Sequence, residues 1–327
     1  MGTTLLLYAR NIDEALLQRA VPSPVWTGQA EPLAWDAPTF SLDLPRKVLR
    51  DAREIVPCLA IVDTATWAYQ FALDYATKSG DRGRTALDPI GAFDAAETNG
   101  DTDAVAAAID VLQIRAPLQS ATLHLRVQGI DPQAPALLSV SIRDRAKVSV
   151  PTLGGPGADI AVPSRSQMVL RADLASHVCS PTSIAMLLDH YGLSTDIYEV
   201  IAAARHPLSG LHGVWPANIH AAARRGLLGY LLHFPSWDSV RALLDQGLPV
   251  VASVRYEEGE LSNAAIRRTN GHLLVVRGYE GGKVLVNDPA AASDAEVGRA
   301  YNLEEFCRIW LEKSAVGYIL FALSLKV

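Results

Sequence analysis

The stretch SHVCSPTSIAMLLDHYG, residues 176–192, decides how this chain reads. Ile184, Leu187, Leu188 and Tyr191 recur at i, i+3, i+4 and i+7, the spacing of one helical face. Pro181 suits a first turn, where its missing N–H costs nothing, and Gly192 supplies a stop. A helix of about three turns therefore opens beside Cys179. Unpaired backbone N–H groups and the positive end of the helix dipole stabilise an anion at such a place, and a thiolate is one. A free thiol with pKa ~8.5 falls to roughly 3.5–7.5 at a helix N-terminus next to a histidine, and is then a nucleophile at neutral pH.

The two remaining cysteines lack that setting. Cys307 shares a helical face with Leu303, Phe306, Trp310 and Leu311, and Cys58 lies inside an apolar strand-like run, so both read as packing. An odd set of 3 cysteines in 327 residues is no disulfide framework. Ser180 and Ser183 lack the Gly-x-Ser-x-Gly elbow of a serine nucleophile.

A thiol hydrolase needs a base and a group to orient it. The segment NGHLLVVRGYEGGKVLVNDPA, residues 270–290, reads as a hairpin whose first strand begins at His272 and whose second ends at Asp288-Pro289. With Glu280-Gly-Gly282 as a three-residue loop, Tyr279 pairs with Lys283 and Asp288 falls opposite Leu274. Leu274 shares a face with His272, so His272 and Asp288 become diagonal neighbours at the open end of the hairpin. A two-residue loop would shift this register by one. His177, two residues before Cys179, is the histidine most easily mistaken for the base.

Capping signals place further helices at 196–204, 216–225, 236–246 and from Asn302 to about Glu312. Strands are expected at 249–255, 272–279, 283–287 and 318–325, so the second half reads as α+β. The first half is β-rich, with strict alternation at 121–127 and 138–143, the mark of half-buried antiparallel strands. Short apolar runs at 58–62 and 67–73 between Pro-, Gly- and Asp-rich breaks favour a β-sandwich, while Ala104 to Leu112 could be a helix. The segment 151–157, PTLGGPG, is the best linker, dividing a 1–155 accessory domain from a 156–327 domain.

A net charge of −6 with no basic run disfavours a nucleic-acid partner. No stretch approaches the ~18 apolar residues of a membrane helix. Leu5-Leu-Leu-Tyr8 is too short for a signal-peptide core, which makes the cytoplasm the default expectation and leaves export of a trimmed chain open. No phosphate-cradling loop, HExxH or paired Cys-x-x-Cys is present, so no cofactor and no metal is expected.

Taken with Gln167, the Cys179 helix, the His272 strand and Val284-Leu-Val-Asn-Asp288-Pro289-Ala290 resemble the bacteriocin-processing cysteine peptidases and their soluble, mostly bacterial, papain-like relatives. The resemblance spans roughly residues 160–327. It implies a papain-like fold and a peptide or protein substrate. It also implies Cys179 as nucleophile, His272 as general base, Asp288 as its orienting group and Gln167 as an oxyanion donor. Ser180 departs from the glycine usual there, and its side chain could narrow the cleft. Trp215 and Asn218, at the start of a helix, together with Ser180 and Asn270, are the expected groove residues. The other readings are an idle peptide-binding module of the same fold and an acyltransferase using the same thiol.

Overall fold

Leu118, Ala121, Leu123, Leu125 and Val127 are buried while most of the residues between them are not, so the alternating stretch near residue 121 forms one strand with a single apolar face. In this computed structural model, which describes residues 3–23, 29–34, 38–98, 100–144 and 157–324, the first half holds ten strands. They are β1 (Thr3–Arg10), β2 (Glu31–Pro32), β3 (Thr39–Asp43), β4 (Glu54–Ile61), β5 (Ala68–Thr77), β6 (Arg82–Ala86), β7 (Val105–Ala108), β8 (Val111–Ile114), β9 (Leu118–Gln128) and β10 (Ala136–Arg143). Two short helices accompany them, α1 (Glu14–Ala20) and α2 (Arg46–Leu49). One sheet runs β2-β1-β10-β4-β8-β7 and the other β3-β9-β5-β6, antiparallel apart from the β1–β2 pair. Residues 104–112 are not helical: β7 and β8 form a hairpin on β4, where edge pairing outweighs the helix propensity of alanine.

The strand at 138–143 departs from expectation more instructively. Its polar positions were expected to face water, yet Ser139 and Ser141 are as buried as Val140. The cause is a third layer, because β10 and β4 pack on β12 (Leu227–His233) of the second half. Ser141 Oγ lies 2.9 Å from His233 Nδ1 and accepts the His233 backbone N–H at 2.9 Å, so its hydroxyl is satisfied without water. Both faces of the β4–β10 pair are therefore interior.

The second half begins with β11 (Ala158–Asp159) and three helices, α3 (Cys179–His190), α4 (Ile197–Ala204) and α5 (Trp215–Ala223). After β12 come α6 (Trp237–Asp245), β13 (Val250–Tyr256), β14 (Thr269–Glu280), β15 (Lys283–Asn287), β16 (Gly298–Asn302), α7 (Leu303–Trp310) and β17 (Val316–Ala322). The sheet order is β12-β17-β13-β14-β15-β16, with β11 against β14. Asp196, Ser236 and Asn302 cap α4, α6 and α7 with their side chains, as their sequence signals predict. The architecture is mixed α+β. Most of the linker, residues 151–156, lies outside the described residues. The apolar core runs without a break from one half into the other.

The hairpin that carries His272 is built differently from its sequence reading. Glu280 pairs with Lys283 across a two-residue loop, and Gly281 (φ +53°) and Gly282 (φ +77°) both take the left-handed region that such a loop requires. This shifts the register by one. A β-bulge at Arg277 then reverses the shift, so that Val276 faces Val286 and Val275 faces Asn287. The next step of that ladder sets Asp288 opposite Leu274, the placement expected from a three-residue loop. Next to the bulge, Gly278 passes so close to β11 that any Cβ would collide with the Ala158 carbonyl oxygen. Gly278→Val should lower stability by about 2 kcal/mol or more, read as a fall in the urea midpoint at unchanged slope.

Candidate active site

Cys179 is the first residue of α3, and its neighbour Val178 provides no side-chain cap. The first-turn N–H groups are therefore free to act on the sulfur. Burial is the largest influence on the Cys179 thiol and works against the thiolate. A hydrogen bond and charge attraction from His272, together with the Leu273 and Ser180 backbone N–H groups, outweigh it and bring the thiol below its usual value. The same burial with no cation nearby drives Cys58 upward and pushes Cys307 up to about 12. Of the three thiols, only Cys179 is poised to ionise.

His272 and Asp288 are both interior, at 2% and 0% exposure, and His272 Nε2 lies 2.8 Å from Asp288 Oδ1. Its Nδ1 is then the nitrogen left for the thiol. Burial opposes the imidazolium, but Asp288 and the thiol overcome it and raise His272 to about 10. Asp288 is in turn held below the usual carboxylate range, against burial, by His272, by the Tyr301 hydroxyl and by the Ala290 N–H. Tyr301 donates to Asp288 Oδ2 at 2.7 Å, and Ala290 N–H to Oδ1 at 3.0 Å.

Gln167 opens a 3-10 turn, Gln167–Val169, that is fastened to the segments carrying Asp288 and Cys179. Its backbone N–H donates to the Pro289 carbonyl at 2.8 Å, one residue past Asp288. Its side-chain Nε2 donates to the Ala175 carbonyl at 2.7 Å, four residues before Cys179. An amide nitrogen carries two hydrogens, and the second meets no protein acceptor among the described residues.

A cavity of about 710 Å³ opens over Cys179. Trp215 and Asn270 line it, as does His177, whereas Ser180 and Asn218 do not. Ser180 is fully buried with its Oγ 2.8 Å from the Tyr318 hydroxyl, so it faces β17 and leaves the cleft unobstructed. Asn218 is also fully buried; it donates to the His212 and Val214 carbonyls and braces the loop that leads into α5. The groove expectation for these two is corrected on that ground: each projects from its helix toward the core.

Residues 159–318 match the model of the Peptidase_C39 like family. The matched segment contains Gln167, Cys179, His272 and Asp288, so the resemblance seen in the sequence holds over this stretch. Among solved structures, the chain is similar to a double glycine motif protease from an AMS/PCAT transporter in complex with its leader peptide. The identity is 20% and the TM-score 0.35, over 50% of this chain and 94% of that one. No curated protein matches. Among the described residues no helix is long and apolar enough to cross a membrane.

Sequence reasoning missed Tyr301, because its contact with Asp288 depends on β16 pairing with β15, where Tyr301 faces Val284. Tyr301→Phe removes one donor from a buried carboxylate and should slow alkylation of Cys179 by iodoacetamide severalfold while the fold persists. For the wild type, the thiolate forms below the ordinary thiol range and the imidazolium survives to about pH 10. The alkylation rate against pH should therefore have its acid limb below ~8.5, and His272→Ala should move that limb up, to the free-thiol position or above it.

Proposed function

We propose that this chain is a cysteine peptidase that hydrolyses peptide or amide bonds through Cys179, His272 and Asp288. The reading rests on one observation above the others: a thiol at a helix N-terminus, its pKa lowered by an imidazole that is itself hydrogen-bonded to a buried carboxylate. We assign residues 156–327 to a papain-like catalytic domain and the two sheets of residues 1–155 to an accessory β-sandwich. A peptide or protein is the substrate, and no cofactor takes part.

In this mechanism His272 takes the Cys179 proton, and the thiolate attacks the scissile carbonyl carbon. The oxyanion that forms is held by the Cys179 backbone N–H and by the second Nε2 hydrogen of Gln167, the one with no protein acceptor. As the intermediate collapses, His272 gives its proton to the departing amine and a thioester remains. His272 then removes a proton from water, which attacks the thioester; the new carboxylate leaves and the thiol is restored. Asp288 keeps the ring in place and balances its charge, while Tyr301 and the Ala290 N–H keep Asp288 ionised.

Incubating the protein with a peptide library in ¹⁸O-water tests this by mass spectrometry. New C-termini carrying one ¹⁸O should appear with the wild type and be absent with Cys179→Ala. Gln167→Ala should keep them at a rate lower by about 10²–10³-fold, the usual cost of one oxyanion donor. Products that form only when an amine is added would make the protein an acyltransferase. No products at all, with a thiol that alkylates no faster than a free cysteine, would sink the enzyme reading.

A further inference from the structure

The cavity over Cys179 is not built by the second half alone. Its far wall comes from the first half, chiefly the tip of the β7–β8 hairpin, Ala108 to Val111, with Glu54 and Arg143 beside it. The tip is a two-residue loop, since Ala108 pairs with Val111, and Ile109 there has φ +58°. A β-branched residue rarely adopts that conformation, and strain of this kind persists only where the surroundings enforce it. Here the enforced loop sets Asp110 into the wall of the cleft, where its Oδ2 accepts the Trp215 backbone N–H at 3.0 Å.

Most charges around the cavity are already matched. Glu54 lies 3.4 Å from Arg143 and 3.3 Å from His233, Asp173 pairs with Arg171 at 2.8 Å, and Lys313 pairs with Glu260 at 2.6 Å. Two side chains are left over. Arg255 is exposed, so water and salt screen it. Asp110 is half-buried, with no cation within ion-pair distance among the described residues. An unmatched carboxylate in the wall of an otherwise neutralised cleft is where charge recognition concentrates.

We propose that the first half forms the specificity wall of this cleft and that Asp110 receives a cationic group of the substrate, an ammonium or guanidinium carried near the scissile carbonyl. The inference rests on the peptidase reading and adds a substrate class to it. Burial raises the empty Asp110 carboxyl to about 7, with Asp88 adding repulsion, so a bound cation would also restore its charge at neutral pH. The hydrogen bond to Trp215 shows why the two halves must stay docked: the carboxylate is held by the opening residue of α5, across the junction between them.

The test uses three methanethiosulfonates with the same leaving group, in which the Cys179 thiolate displaces a sulfinate and forms a mixed disulfide. One reagent carries an aminoethyl cation, one a neutral methyl group and one a sulfonatoethyl anion. Asp110→Asn keeps an oxygen for the Trp215 N–H and removes the charge. It should lower the cationic-to-neutral rate ratio about threefold or more, and Asp110→Ser should do the same should the amide fit badly. Arg255→Gln should not lower that ratio. In the peptide library, any excess of lysine, arginine or a free N-terminus beside the cleaved bond should disappear with Asp110→Asn. A ratio and a cleavage pattern unchanged in both Asp110 variants, in a protein whose thiol reacts fast with the neutral reagent, overturns the proposal and leaves the peptidase reading standing. A wild-type thiol slow toward the neutral reagent overturns the peptidase reading and the proposal with it.

Discussion

The carboxylate of Asp288 has no exposure to water, and the end of the second sheet where β14, β15 and β16 meet is arranged around keeping it charged. An unpaired carboxylate in such a place costs several kcal/mol and would take up a proton instead. Three donors prevent that: His272 and the Ala290 N–H on Oδ1, and the Tyr301 hydroxyl on Oδ2. The bulge at Arg277 sets the hairpin register, and β16 brings Tyr301 alongside β15. Each of these devices is needed for the same pair of oxygens. From Asp288 the charge alternates outward to the imidazolium and then to the thiolate, and each member stabilises its neighbour.

The junction between the halves shows the same rule at lower charge. Several polar groups that the second half buries at the junction find partners in the first half. His233 meets Ser141, His220 donates to the Trp67 carbonyl at 2.8 Å, and the Tyr230 hydroxyl donates to the Ala20 carbonyl at 2.7 Å. Burial brings His220 down to about 4, so it sits neutral against the Trp67 ring, centroids 4.2 Å apart. Such contacts specify one docked arrangement, because sliding the halves would leave several buried groups unpaired.

The legible part of this molecule was the part whose meaning is local. Cys179 at a helix mouth, the caps at Asp196, Ser236 and Asn302, and a hairpin joining His272 to Asp288 all depend on neighbours within about twenty residues. Contacts across a hundred residues or more left no such trace. Ser139 and Ser141 alternate with apolar residues as though facing water, and a sheet covered by a distant piece of its own chain has the same pattern as one covered by solvent. Ile109-Asp110 sits in an alanine-rich run that suits a helix as well as a hairpin, and only the β4 edge decides between them. Ser180 stands beside Cys179 where the resembled family has glycine, and Asn218 lies at the start of a helix, so both read from sequence as groove residues. The side of a helix on which a polar residue falls depends on what packs there, and in both cases a hydroxyl or carbonyl waited inside.

The three cysteines form a comparison within one chain. Burial is the foremost influence on each, and in each it favours the neutral thiol. Cys58 has a tyrosine for company and Cys307 has two glutamates at a distance; neither offers a positive charge, and both thiols stay protonated. Cys179 has His272, and His272 has Asp288 to keep it cationic. Burial then changes its effect. The low dielectric that penalises one lone charge strengthens the attraction between two opposite ones, and it does so where the helix N-terminus already favours the anion. Reactivity at this thiol is therefore a property of the pair, and removing the carboxylate two bonds away would return Cys179 to the condition of the other two.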